Sequence, residues 1–164
     1  MTIYHAAFAV ETDARPTFVD VTERVRDAVG ALAISDALVT VYSQHTTCSV
    51  LIQEQSDDVT YWGSQFILED LVDGLSAVFP TCRHEGQYLH PGPRHIEIAR
   101  QERAERPEWS LNTDAHLRSV MLGRSVAVPL QDAALQLGEF GRIYFADFDQ
   151  VRARTRTVRL VVCS

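Results

Sequence analysis

The side chains best suited to chemistry are three histidines set in polar surroundings, His45, His90 and His116. An imidazole titrates near neutral pH, so a positioned one can move a proton, donate to a phosphate oxygen or ligate a metal. His45 stands between two β-prone runs, just ahead of Thr46 and Thr47, and Glu54 closes the second run. Strict strand alternation puts His45 and Glu54 on opposite faces, so a shared pocket requires a bulge or twist near Thr46. His90 lies in the stretch Gly86 to Pro93, where two prolines stiffen the chain and glycines allow close backbone approach. His116 follows Asn112 by four positions, which places both on one face at the first turn of a helix. The free amides and partial positive charge there suit an anion or acid/base work, with Asn112 either orienting the imidazole or simply capping the helix.

Each candidate has a plainer reading, because an isolated histidine is more often a hydrogen-bonded structural residue than a catalyst. His5 and His84 have no polar constellation around them, and His95 is a marginal case. Asp70 falls among Leu68, Leu71 and Val72, either as an acid at the edge of the core or as part of a solvent face with Glu69 and Asp73. Three histidines and a carboxylate could ligate zinc with an open water position, but the spacing gives weak support. His-Glu-x-x-His, Cys-x-x-Cys and Gly-x-Gly-x-x-Gly are all absent, and Gly123 to Ala127 lacks the closing glycine of a nucleophile elbow.

Composition narrows the chemistry further. All 15 cationic residues are arginines and there is no lysine. A P-loop and a lysine Schiff base are therefore excluded, whereas phosphate binding by arginine forks, backbone amides or helix N-termini survives. A net charge of -7 argues against broad nucleic-acid binding. Cys48, Cys82 and Cys163 are too few and too far apart for a disulfide framework or zinc ribbon, which fits a reducing cytoplasm. The first ten residues lack the charged start of a signal peptide, and no apolar run is long enough to span a bilayer.

The elements that must position these groups fit one domain over residues 1–164. Strands are expected at Ile3–Glu11, Leu38–Ser43, Thr47–Gln53, Ser125–Val128, Leu135–Leu137, Arg142–Phe148 and Thr155–Val162. A helix capped by Asp20 or Thr22 runs to Ala33, with Val21, Val25, Val29 and Leu32 as its apolar stripe. A second follows Asp57 and Asp58 and ends at Pro80, and a third starts at Asn112 or Thr113 and stops at Gly123. The segment from Thr81 to Leu111 reads as an ordered lid or site loop, with a short helix over Ile96–Arg106. Strands outnumber helices and long crossovers are few, so the fold class is α+β and mostly antiparallel.

The ordered series Gln44-His45-Thr46-Thr47-Cys48-Ser49, Gln53-Glu54, Tyr88-Leu89-His90, Asn112 with Ala115-His116-Leu117, Leu122-Gly123-Arg124-Ser125, Pro129 and Leu135-Gln136-Leu137-Gly138 resembles the YjbQ family. These are the so-called secondary thiamine-phosphate synthase proteins, and the likeness covers nearly the whole chain. It implies a β-sandwich-like core of about seven strands with two to four helices, assembled as a homotrimer. It also implies a shared polar pocket at His45, Thr46, Glu54, His90, Asn112 and His116, with Asp70 as counterpart of a family helix aspartate. Gln53 stands where the family has asparagine, and Gly138-Glu139-Phe140-Gly141 where it has Gly-Thr-Trp-Gln, which marks a divergent subgroup.

Three readings follow. In the first, the protein is an enzyme acting on a phosphorylated heterocycle. His45, Glu54, Asn112 and His116 would be catalytic, while Thr46, Thr47, Asp70, His90, Arg118 and Arg124 would contact the substrate. In the second, His45, His90 and His116 hold a divalent metal, zinc or magnesium, in a hydrolase or metal-binding protein. In the third, a non-catalytic trimer binds a metabolite. None of these involves nucleic acid or a membrane.

Overall fold

The computed structural model describes residues 1–164 as eight strands and four α-helices, and every strand pairing is antiparallel. The strands are β1 (Ile3–Thr12), β2 (Thr17–Asp20), β3 (Ala37–Ser43), β4 (Cys48–Glu54), β5 (Ser125–Gln131), β6 (Ala134–Leu135), β7 (Gly141–Asp147) and β8 (Arg154–Cys163). The helices are α1 (Thr22–Gly30), α2 (Phe66–Val78), α3 (Pro93–Arg103) and α4 (Thr113–Leu122), with a 3-10 turn at Pro107–Ser110. One sheet has the order β1-β8-β3-β5-β6 and the other β2-β7-β4. No helix is long and apolar enough to cross a membrane.

Alternation along the strands builds a layered core. Val39 and Val41 of β3, Val128 and Leu130 of β5, and Val158, Leu160 and Val162 of β8 turn one face of the larger sheet inward. They meet Cys48 and Val50 of β4, Ile143 and Phe145 of β7, and the stripe Val21, Val25 and Val29 beside and along α1. Tyr144, Ala146 and Phe148 alternate to the opposite face, where Ala146 and Phe148 pack with Leu75 of α2 and Ala115 of α4. Strand β7 is thus buried on both sides, which explains why its apolar run is continuous rather than alternating.

The expected architecture is observed, with an eighth strand added. Thr17–Asp20 is too short to show a period, yet it pairs with β7 at Thr17↔Asp147 through Asp20↔Tyr144. Helix α2 begins at Phe66, later than expected, because Val59 bridges Gln65 around a turn in which Gly63 takes φ 78°. Helix α1 ends at Gly30 and α3 starts at Pro93, a proline whose fixed φ suits a first helical position.

At the border of the larger sheet, β1 pairs with β8 on one side only. Arg24 of α1 donates to the Ala9 carbonyl at 2.7 Å, and its guanidinium lies 4.0 Å from the centre of the Phe8 ring.

Candidate functional site

Where β3 and β7 end and β8 begins, a polar hollow of about 370 Å³ opens. Four stretches line it: Gln44 to Thr47 after β3, His95 to Ser110 of α3 and the turn beyond, Asn112 and His116 of α4, and Asp149 to Arg156. Only one of its fourteen lining residues, Trp109, is hydrophobic.

The floor is an ion-pair network. Arg156 donates from Nε to Asp147 Oδ2 at 2.6 Å and from Nη2 to Oδ1 at 3.2 Å, with both side chains buried. Asp147 also accepts from Thr12 Oγ1, Thr47 Oγ1 and the Asp149 backbone N–H. Such a carboxylate has few lone pairs left, and the cost of burying both charges is offset by these bonds. Arg154 pairs with Asp149 at 2.8 Å, and Arg103 with Glu105 at 3.2 Å. Every arginine of the lining is therefore already matched to an acid.

The histidines are fixed in distinct tautomers. Strand β3 stops at Ser43, and at the next ladder position the Thr157 backbone N–H donates to His45 Nε2 at 3.0 Å. An amide can only donate, so Nε2 must accept and the neutral ring carries its proton on Nδ1. Burial lowers the His45 pKa below the ordinary histidine value, Arg156 lowers it further, and Asp147 opposes them. His116 shows the reverse arrangement. Its Nδ1 lies 3.2 Å from the Thr46 carbonyl, which can only accept, so Nδ1 donates and Nε2 is left bare.

His90 stands beside the hollow rather than in its wall, with its ring 5.6 Å from His116 and 4.8 Å from His95. The Thr113 hydroxyl donates its proton to the His90 carbonyl, so its oxygen accepts from His90 Nδ1 at 2.9 Å. Burial lowers the His90 pKa, and the neighbouring His95 and His116 add to the effect.

The structure brings together His45, Thr46, Thr47, Asn112 and His116 from the residues singled out in the sequence. Others lie elsewhere. Glu54 is exposed at the far end of β4 and orients neither histidine, because the strand carries it away from the turn that holds His45. Asp70 is exposed on α2 and belongs to the solvent face with Glu69 and Asp73. Arg118 is fully buried, paired with Asp114 at 3.3 Å and donating to the Phe79 carbonyl, so it is a structural cation and not a phosphate contact. Arg124 is outside the lining and donates to the Gln44 carbonyl. Asn112 precedes α4 but makes no side-chain cap bond, and the Thr46 carbonyl, not Asn112, fixes His116. No three His, Cys, Asp or Glu side chains stand so as to hold a metal ion, and the set His45, His90 and His116 is not assembled as a metal centre.

The marginal candidate His95 joins the lining, and Trp109, Ser110, Asp147, Asp149, Arg154 and Arg156 lie outside the residues singled out in the sequence. A signal existed for the charged group. Asp147 and Asp149, like Arg154 and Arg156, are spaced by two, the period that puts side chains on one face of a strand. Trp109 gave no such signal; its ring is covered by the Arg152 guanidinium at 4.0 Å.

Comparison with known proteins agrees with this architecture. The family described as "UPF0047 protein YjbQ-like" matches residues 6–164. A UPF0047 protein of Archaeoglobus fulgidus is 30% identical over 150 residues, covering 92% of this chain and 95% of that protein. The UPF0047 protein YugU of Bacillus subtilis is 26% identical over 152 residues, covering 93% and 95%. Among solved structures, an uncharacterised YjbQ/UPF0047 protein of Clostridium acetobutylicum superposes with a TM-score of 0.70 at 24% identity, over 94% of this chain and 97% of that one. A hypothetical protein of Aeropyrum pernix K1 gives a TM-score of 0.74 at 24% identity, over 98% of each chain, a likeness of fold. With a family match that spans almost every residue and a fold to accompany it, this chain belongs to the YjbQ/UPF0047 family.

Proposed function

We propose that the protein is a small-molecule enzyme acting on a phosphorylated heterocycle, of the kind suggested by the family's secondary thiamine-phosphate synthase label. One observation carries this reading. Two imidazoles in one hollow are held in opposite senses: His45 offers Nδ1–H as a donor, and His116 offers Nε2 as an acceptor or base. A neutral donor suits a phosphate or pyrophosphate oxygen, and a bare nitrogen suits an N–H of the heterocycle or the proton of a nucleophile. Trp109 provides the aromatic part of the wall. Within the same reading the chain works as a homotrimer, supported by Val120 and Met121 of α4, which stand 78% and 59% exposed in the single chain. Light scattering on purified protein measures that mass directly.

The enzymatic test is formation of thiamine phosphate from the aminopyrimidine pyrophosphate and the thiazole phosphate. His116→Ala is expected to lower kcat by about 10²–10⁴-fold, the span of general acid–base catalysis. Equal product from His116→Ala and wild type would remove the reading.

A second reading is favoured by a separate observation. His90 and His116 each tie Nδ1 to a fixed acceptor and leave Nε2 bare, the outer-shell arrangement of histidines that ligate metals. His45 does not belong to that set, because its Nε2 is committed to Thr157. Elemental analysis of purified wild type and His90→Ala tests it: stoichiometric zinc lost on substitution supports the metal, and metal-free active protein excludes it.

A further inference from the structure

The arginines inside the hollow cannot supply free positive charge, because Arg103, Arg154 and Arg156 are each paired with an acid. Two others beside it can. Arg159 of β8 donates from Nε to Gln44 Oε1 at 2.9 Å, and Arg124, just before β5, donates from Nη1 to the Gln44 carbonyl at 3.5 Å. Neither makes an ion pair with any carboxylate. Gln44 itself lines the hollow next to His45.

Strand register fixes this arrangement. Tyr42 of β3 pairs with Arg159 on one side and with Ser125 on the other. The Ser43 N–H donates to the Arg124 carbonyl at 2.9 Å, which locks Arg124 beside the end of β3, with its guanidinium 6.0 Å from the Tyr42 ring centre. The two arginines thus approach one residue from the two strands that flank it. Like charges held together without an acid between them are unfavourable, and the arrangement becomes favourable when an anion joins them. The field of Arg159 also reaches His45 and disfavours its protonation.

We propose that Arg124 and Arg159 form a clamp for the terminal phosphate or pyrophosphate of a small ligand, which lies over Gln44 while its uncharged part enters the hollow. The clamp rests on the phosphorylated-substrate reading above and assigns the place of the anion. It puts that anion at the rim, on the side of the His45 donor, and not at the buried pair of Arg156 and Asp147.

Calorimetric titration with inorganic pyrophosphate tests it on the full chain. Wild type is expected to bind, Arg124→Gln and Arg159→Gln to bind about tenfold more weakly each, and the double variant not to bind measurably. The exposed loop variant Arg83→Gln should match wild type. Arg159 is exposed and Arg124 half-buried, and neither is in an ion pair, so unchanged melting temperatures separate a lost ligand contact from a lost fold. Pyrophosphate should also shift the His45 imidazole NMR signals in wild type and leave them unmoved in the double variant. Wild type that fails to bind pyrophosphate, or a double variant that binds it as tightly, overturns the clamp. The two proposals fail separately: His116-dependent turnover with arginine-independent pyrophosphate binding sinks only the clamp, and the converse sinks only the enzyme.

Discussion

The imidazole of His45 completes the backbone ladder of β8, because its Nε2 accepts the Thr157 N–H where β3 has already ended. A side chain that continues a sheet and also faces a polar hollow is tied to the fold and to the site at once.

Substitution at this position separates those roles. His45→Ala leaves the Thr157 N–H without its partner and is expected to cost about 1–3 kcal/mol, the penalty of an unsatisfied donor. Gln places an acceptor oxygen near the position of Nε2, so His45→Gln should keep most of the stability while removing the Nδ1–H donor. Urea unfolding of both variants, read beside a pyrophosphate-release or product assay, shows whether stability and activity part in this way.

The pH dependence of stability has a definite sign. His45 and His90 both bind protons more weakly folded than unfolded, chiefly because of burial. The unfolded chain therefore takes up protons first, near the ordinary histidine value of about 6.5. Stability is present above that value and is lost as pH falls below it towards the folded values. Melting curves should be flat from about pH 7 to 8 and decline between about pH 6.5 and 5, and the decline should shrink in a His45→Gln, His90→Gln double variant. An unchanged decline contradicts the assignment.

The pair Asp147 and Arg156 gives the largest expected effect. Asp147→Ala leaves a buried guanidinium without its bidentate partner and takes away the acceptor used by Thr12 and Thr47. Loss of one member of a buried pair costs about 3–5 kcal/mol, which chemical denaturation resolves easily.

Gly141 has no room for a side chain, since a Cβ there would fall 2.1 Å from the Leu137 carbonyl oxygen. Gly141→Ala must move backbone at the start of β7, with an expected cost of roughly 1–3 kcal/mol. A crystal structure or unfolding curve indistinguishable from wild type would refute the close approach.

Thiol labelling separates Cys163 from Cys48. Burial and the nearby Asp147 carboxylate push the Cys48 thiol up to about 12, so it carries almost no thiolate at neutral pH. Ellman's reagent on native protein should react at the half-buried Cys163 well before Cys48, and mass spectrometry locates the adduct.

The sequence made the long periodic elements legible because burial enforces their period. Val21, Val25 and Val29 marked α1, and the alternating run of β8 marked the strand that lies between β1 and β3 in the larger sheet. It singled out His45 and His116, which line one hollow, through their polar neighbours, and it grouped with them Glu54, Asp70 and Arg118, which lie outside that lining. Local spacing cannot say which way an exposed helix or strand end points. Arg118 illustrates the limit, since only the tertiary packing that brings Ser76, Phe79 and Asp114 around it makes a buried cation tolerable. His95 stayed marginal and Trp109 unmarked for the same reason: they reach the hollow through the path of the segment 81–111, which no periodicity records.

Arg24 has a consequence for how the molecule avoids its own kind. The outward carbonyl of Ala9 is the natural docking point for a foreign polypeptide seeking to extend the sheet, and the guanidinium already occupies it. A newcomer aligned along Ile3–Thr12 would have to evict, at Ala9, a cation that also covers Phe8, which makes pairing at that point of the edge less favourable.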